Sequence, residues 1–141
     1  NLFYGQKRSI RKNWKWWSWI KTPACPFQER QNIVQEAVKE DDLALEYADD
    51  SLKKDKEFIL EAVKQNGFLL EYVDKSLKKD KEIVLEAVKE YGAALEDADD
   101  SLKKDKKIVL EAVKQNGAAL EYVDDSLKND PDILAKVDFY I

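Results

Sequence analysis

The chain has 141 residues, 44% of them hydrophobic and 38% charged, and its formal net charge is −5. It contains no histidine and a single cysteine, Cys25, which argues against an enzyme, a cofactor or metal site and an intramolecular disulfide bond, and favours a reducing, cytoplasmic compartment. No stretch approaches the roughly 20 apolar residues that a membrane-spanning helix requires.

Residues 1–28 differ from the rest of the chain. The first six, NLFYGQ, resemble a protease-site remnant with two pairs of letters exchanged, and chance similarity is the alternative, so residues 1–6 carry no weight in predicting the fold. The segment holds six basic residues and no acidic one, which leaves 18 of the 24 basic and all 29 acidic residues to the remainder. The segment also contains all four tryptophans, Trp14, Trp16, Trp17 and Trp19.

Several interpretations of this basic, tryptophan-rich segment remain open. As an N-terminal cap, its aromatic side chains would cover the apolar face of the first repeat. As a peripheral anchor, residues 7–21 would bind a membrane surface, because tryptophan with lysine and arginine suits the interface. Nucleic-acid binding through basic residues and stacking rings is a third interpretation, and a disordered or non-native leader is the fourth. Pro23 and Pro26 predict that residues 22–28 form a linker.

From residue 29 onward the sequence repeats with a period of 25 residues. The period is visible in two rows of residues, Glu36, Glu61, Glu86 and Glu111, and Leu45, Leu70, Leu95 and Leu120. The copies span residues 30–54, 55–79, 80–104 and 105–129, and a half repeat spans residues 130–141. Such a period is typical of a solenoid, so residues 29–141 predict an all-α domain whose helix-turn-helix repeats stack as a short α-solenoid.

Each copy predicts a first helix that begins after an aspartate. This position is held by Asp55, Asp80, Asp105 and Asp130. Pro131 follows the last of them, and an N-cap aspartate followed by proline is the expected start of a helix. In the third copy the apolar residues cover a wide arc of the helix, which indicates packing on two sides. These residues are Ile83, Val84, Leu85, Ala87, Val88 and Tyr91.

A glycine turn and a shorter second helix complete each copy. Gly67, Gly92 and Gly117 follow the first helices, where a glycine in the left-handed conformation commonly ends a helix. The second helix is predicted at about residues 93–98. Residues 101–104 either continue it or form a 3₁₀ turn with Leu102 directed inward. The aspartate pairs at 49/50, 99/100 and 124/125 are predicted to be solvated turn residues and not a calcium loop, because the glycine and glutamate of such a loop are missing.

The half repeat at the end begins like the others and then departs from them. Lys136 stands where the other copies have glutamate, and Asp138 replaces the second core valine. The chain then ends in Phe139, Tyr140 and Ile141. Either this segment caps the stack, with Phe139 or Ile141 buried, or the array was cut from a longer one.

Differences among the copies concentrate beside the glycine turn. Core positions of a stack must stay constant, whereas its surface is free to vary, so we predict a partner-binding rim at the turn edge. Its candidate residues are Gln65, Asn66, Phe68, Glu90, Tyr91, Gln115 and Asn116. A second row, Tyr47, Tyr72 and Tyr122, predicts either a ladder that contacts a ligand or side chains partly buried between second helices.

The repeated run D-K-E-I-V-L-E-A-V-K-x-x-G-x-x-L-E-Y-x-x-x-S-L-K-x-D resembles the tandem helical repeat known as domain of unknown function 4116. The resemblance covers about residues 32–134. Departures are Arg30 at the aspartate cap, Asp42 at the glycine and Asp97 at the tyrosine. The resemblance implies a stacked helical fold and implies no activity.

These features together predict a non-catalytic protein-interaction scaffold that binds an unidentified protein. The chain has no initiating methionine, so we expect a processed or excised piece of a larger protein. An acidic array disfavours nucleic acid as a partner. The alternative function is peripheral binding to a membrane surface or nucleic acid through the tryptophan-rich segment, with the repeats as a spacer.

Overall fold

The computed structural model describes residues 27–40, 42–46 and 48–140. Its longer helices are α1 Phe27–Glu40, α3 Lys56–Gln65, α4 Lys81–Glu90, α5 Lys106–Gln115 and α7 Pro131–Tyr140. Two single-turn α-helices are α2 Asp50–Lys53 and α6 Asp125–Lys128. The 3₁₀ helices are η1 Asp42–Leu45, η2 Gly67–Tyr72, η3 Leu77–Lys79, η4 Gly92–Asp97 and η5 Gly117–Tyr122.

The predicted aspartate caps are present at the start of α3, α4, α5 and α7. The Asp55 carboxylate accepts the backbone N–H of Phe58 at 3.0 Å, and the Asp105 carboxylate accepts that of Lys107 at 3.0 Å. Asp80 and Asp130 accept equivalent N–H groups in α4 and α7. Pro131 is the first residue of α7, as expected of a residue that has no N–H to donate.

The inner helices, α3, α4 and α5, each bury four residues of the repeat. In α4 these are Ile83, Val84, Ala87 and Val88, and the same positions of α3 and α5 are buried too. The predicted arc was wrong at its edge, because the Tyr91 side chain is exposed. Helix α4 ends at Glu90 and Tyr91 adopts an extended conformation, with φ −140° and ψ 99°, so the angular step of an α-helix no longer applies to it.

The prediction of left-handed glycines was wrong, because no glycine within the described residues has a positive φ. Helices α3, α4 and α5 end instead at an extended residue, such as Asn66 with φ −151° and ψ 109°. At Gly67 and Gly92 glycine is required because the next repeat approaches closely. A Cβ atom on Gly67 would lie 2.2 Å from the carbonyl oxygen of Ala87, and one on Gly92 would lie 2.6 Å from that of Ala112.

The second helix of each repeat is a 3₁₀ helix. In the third repeat it spans Gly92–Asp97 and ends at Ala98, whose φ of −69° and ψ of 153° are extended. A separate turn follows, in which the Asp99 carboxylate accepts hydrogen bonds from the Ser101 N–H at 3.1 Å and from the Ser101 hydroxyl at 2.6 Å. Leu102 in this turn is buried, so a separate turn with an inward leucine is the alternative that the structure adopts.

Successive repeats pack side by side along the chain. Helix α1 packs on α3, α3 on α4, α4 on α5 and α5 on α7, and η2 packs on η4 and η4 on η5. Backbone hydrogen bonds also join the repeats, from Asp99 N–H to the Lys78 carbonyl at 3.1 Å and from Asp124 N–H to the Lys103 carbonyl at 3.3 Å. The part of the chain that the structure describes contains no strand, and the predicted all-α repeat solenoid is confirmed.

The two ends of the stack differ from its middle. Helix α1 begins at Phe27, inside the predicted linker, and the Arg30 guanidinium within it pairs with the Asp49 carboxylate at 3.1 Å. At the other end, Leu134 is 37% exposed, whereas its equivalents Val84 and Val109 are completely buried. The tryptophan segment, Tyr47, the side chains of residues 138–140 and Ile141 lie outside what the structure describes, so the predictions made for them stay predictions.

Candidate partner-binding surface

An exposed pair of aromatic rings lies at the turn edge, where one repeat meets the next. Phe68, the second residue of η2, is 39% exposed, and Tyr91, at the end of α4, is 41% exposed. Their ring centroids are 6.1 Å apart with an interplanar angle of 68°, an edge-to-face contact. Phe68 also meets Tyr72 edge-on at 6.1 Å. Two residues of the predicted rim are therefore in contact across adjacent repeats.

Tyr122 extends this group into the following repeat. The negative charge of Glu96 raises the pKa of the Tyr122 hydroxyl. Partial burial, the charges of Glu121 and Tyr91, and a hydrogen bond to Glu96 raise this pKa further. Tyr72 and Tyr122 are half-buried and pack against the core, which agrees with the second interpretation of the tyrosine row. The resulting aromatic strip, defined here as Phe68, Tyr72, Tyr91 and Tyr122, crosses three repeats.

Acidic side chains accompany the strip. Glu71, Glu96 and Glu121 are exposed, and each precedes the tyrosine position of its repeat. In the third repeat that position holds Asp97, which is half-buried. The repeats on either side carry Tyr72 and Tyr122 at the same position. Burial raises the pKa of the Asp97 carboxyl, and Glu71 and Glu96 raise it further, while Lys78 and Lys103 lower it. Four carboxyls, those of Glu71, Glu96, Asp97 and Glu121, thus accompany the strip, against the two ammonium groups of Lys78 and Lys103.

Three predicted rim residues have roles within the stack. The Gln115 side chain bridges two repeats, since its Oε1 accepts the Gly92 N–H at 2.7 Å and its Nε2 donates to the Glu90 carbonyl at 3.1 Å. Asn66 caps η2 by accepting the Phe68 N–H at 3.0 Å, and Asn116 caps η5 in the same way. The other four members of the rim, Gln65, Glu90, Phe68 and Tyr91, are exposed, and of these Phe68 and Tyr91 are the two large apolar side chains.

Several residues of this surface lie outside the rim that the sequence predicts. These residues are Tyr72, Tyr122 and the glutamates at 71, 96 and 121. The rim was predicted from positions that vary among the copies. Their signal was the repeated Leu-Glu step after the glycine, which places an exposed acid beside the tyrosine position of each repeat. Variation alone cannot identify such residues, because they are repeated.

The acidic side chains and the helix lengths of residues 27–40, 42–46 and 48–140 bear on other kinds of site. Within these ranges no group of three acidic or cysteine side chains could hold a metal ion. The first aspartate of each pair accepts the hydroxyl of the serine two residues on, as Asp124 does from Ser126 at 2.6 Å. Of the helices described, none has the length and apolar character needed to cross a membrane.

Comparison with known proteins identifies the family of the repeats. No curated protein and no solved structure matches the chain significantly. The family model described as Domain of unknown function (DUF4116) matches residues 31–78, 80–128 and 105–136, in register with the repeats of the structure. These matches cover most of the chain and all of its inner helices, and the chain therefore belongs to the DUF4116 family.

Proposed function

We propose that this chain is a non-catalytic protein-interaction module and that the aromatic strip contacts its partner. One observation carries the proposal, namely that Phe68 and Tyr91 from adjacent repeats meet on the surface while each stays about two-fifths exposed. Aromatic residues are enriched at protein interfaces, where they supply large contact areas at a small cost in conformational entropy. An exposed aromatic pair on a surface otherwise rich in charge fits such a role.

Comparison among the copies supports a role in binding over a role in folding. Where one repeat has Tyr91, the neighbouring repeats have Asn66 and Asn116 with nearly the same backbone conformation, φ near −150°. Where η2 has Phe68, η4 and η5 have the alanines at 93 and 118. The stack thus accommodates asparagine and alanine at these two positions, so folding alone does not require the two rings.

A display experiment tests this proposal even though the partner is unidentified. A random peptide library is selected on the whole chain, and each enriched peptide is then tested on the variant Phe68→Ala/Tyr91→Asn, which restores the residues of the other copies. Leu134→Ser, at another exposed apolar residue, is the matched control. We expect peptides that bind the parent chain and the control but not the double variant. Enriched peptides that bind all three equally would contradict the proposal.

The basic segment supports a second candidate function. Residues 1–28 combine six basic side chains with four tryptophans, a composition suited to a membrane surface or to single-stranded nucleic acid. Liposome co-sedimentation and an oligonucleotide mobility shift, each with and without residues 1–28, test it. Loss of binding on deletion would support this function, whereas a lower melting temperature with no binding in either form would support a cap.

A further inference from the structure

The surroundings of the aromatic strip define the chemistry of its partner. We infer that the strip binds an extended peptide segment carrying arginine or lysine side chains, whose cations contact the rings of Phe68 and Tyr91 and the carboxylates of the neighbouring glutamates. This inference rests on the proposed function and adds the partner class to it.

The charge of this surface is unbalanced. Glu71, Glu96 and Glu121 are exposed, and among the residues that the structure describes no ion pair involves any of them. The nearby Lys78 ammonium donates to the Glu71 carbonyl oxygen at 2.9 Å, and the Lys103 ammonium lies 3.7 Å from the Asp100 carboxylate. Three carboxylates of one edge are thus left without a cation from the described part of the chain.

The rings of the strip meet edge-on, and Phe68 and Tyr91 stay partly exposed. Phe68 meets Tyr72 at an interplanar angle of 74° and Tyr91 at 68°, so neither neighbour stacks parallel to it and covers a whole ring face. A cation is attracted to the face of an aromatic ring within about 6 Å of its centroid. Arginine also stacks on aromatic planes and forms paired hydrogen bonds with carboxylates, so a single side chain suits both kinds of group here.

The spacing of the acids favours an extended partner. Glu71, Glu96 and Glu121 occupy one position of successive repeats, so the carboxylates form a row along the stack on the side of the strip. An extended segment with several cations would meet several of them in turn. An acidic partner, including nucleic acid, would be repelled by the same row. A purely apolar partner would bury these carboxylates without compensation, which is unfavourable.

Defined peptides test the inference directly. The probes are a short fluorescent peptide of alternating arginine and alanine and two counterparts with glutamine or glutamate in place of arginine. Binding to the whole chain is measured by fluorescence anisotropy at low and at physiological salt. We expect the arginine peptide alone to bind, and its affinity to fall as salt rises, because screening weakens exposed charge interactions.

Three variants assign the binding to the strip. Phe68→Ala/Tyr91→Asn removes the rings, and Glu96→Gln/Glu121→Gln removes two carboxylates. Glu57→Gln/Glu61→Gln makes the same change of charge on exposed residues of α3, with Glu57 at the opposite end of that helix from Phe68. We expect the first two to weaken binding about tenfold, which corresponds to about 1.4 kcal/mol, and the third to leave it nearly unchanged. Circular dichroism confirms that each variant is folded.

The outcomes separate this inference from the proposed function. Equal binding of the arginine and glutamine peptides, or equal weakening by both glutamate pairs, overturns the cationic partner. Display peptides that depend on Phe68 and Tyr91 but contain no arginine or lysine also overturn it, and they leave the proposed function standing. If no enriched peptide depends on the two rings, the proposed function itself is wrong.

Discussion

The ammonium group of Lys81 lies 2.5 Å from Oδ2 of Asp105, the residue that caps the following long helix. The same link recurs in each repeat, from Gln31 to Asp55 at 2.9 Å and from Lys56 to Asp80 at 2.9 Å. One carboxylate oxygen of each aspartate accepts an N–H group of its own helix, while the other accepts a hydrogen bond from the preceding repeat. Each cap therefore also joins two repeats, which serine at the same position would not do.

Substitution of Asp105 separates these two roles. Asp105→Ala removes both the cap and the link to Lys81, and we expect the free energy of unfolding to fall by about 1–2 kcal/mol. Asp105→Ser retains a capping oxygen and loses the ion pair, so we expect a loss of about 0.5 kcal/mol, since exposed ion pairs contribute little. Urea denaturation measures both. Equal losses in the two variants would mean that the cap contributes nothing beyond the link.

Alanine substitution of the turn glycines tests the close approach of successive repeats. In Gly92→Ala the new methyl group would overlap the carbonyl oxygen of Ala112, and we expect a loss of about 1–3 kcal/mol in unfolding free energy. At Gly117 the nearest atom to an added Cβ is Cγ1 of Val137 at 3.8 Å, an ordinary contact. Gly117→Ala is therefore the matched control, expected to stabilise by up to about 1 kcal/mol because glycine is the more flexible residue in the unfolded chain. Similar melting temperatures for the two variants would contradict this account.

Removal of the exposed rings should leave the stack intact. Phe68→Ala/Tyr91→Asn loses edge-to-face contacts that contribute about 0.5–1.5 kcal/mol per pair. The introduced asparagine should accept an N–H group of η4, as Asn66 and Asn116 do in η2 and η5, a cap of about 1 kcal/mol that Tyr91 does not provide. We expect the melting temperature to change little. A large decrease would show that the rings are needed for folding.

Acid should weaken the contacts between repeats. The Lys81 ammonium lowers the pKa of Asp105, the Lys106 ammonium lowers that of Asp130, and the Ser101 hydroxyl lowers that of Asp99. Carboxyls with a lowered pKa in the folded state stabilise it above their unfolded value of about 3.9, and this stabilisation disappears as the pH falls through the folded value. Urea midpoints should therefore drop below about pH 4, and drop less in Asp105→Ser. A constant midpoint in acid would contradict the prediction.

Asp97 should have the opposite dependence on pH. Burial raises the pKa of Asp97, so its ionised form destabilises the folded chain, and this penalty develops as the pH rises above the unfolded value of about 3.9. Asp97→Asn should stabilise the chain at neutral pH by no more than about 0.5 kcal/mol, because solvent still screens the carboxylate.

In acid, the gain from Asp97→Asn should disappear. Asp100→Asn, at an exposed aspartate in the following turn, serves as the control and should change stability little at either pH. Destabilisation by Asp97→Asn at neutral pH would contradict the prediction.

Features confined to one repeat could be predicted from the sequence. The period of the sequence predicts where each repeat begins and ends. The position of Asp80 three residues before Ile83 predicts the start of a helix, because a cap and its N–H groups lie within one turn of the chain. The burial of Ile83, Val84, Ala87 and Val88 likewise follows from their spacing, since a stack must cover the same face of each helix.

Relations between repeats were decided by the tertiary structure. The sequence around Gly67 suggests a left-handed helix end, yet the glycine is required by the carbonyl oxygen of Ala87, which belongs to the next repeat. Tyr91 follows the helical spacing but is exposed, because α4 ends one residue earlier. The contact of Tyr91 with Phe68 depends, like that of Lys81 with Asp105, on the distance and rotation between neighbouring modules. Side-chain packing between the repeats sets this distance and rotation, so neither can be predicted from the residues of a single repeat.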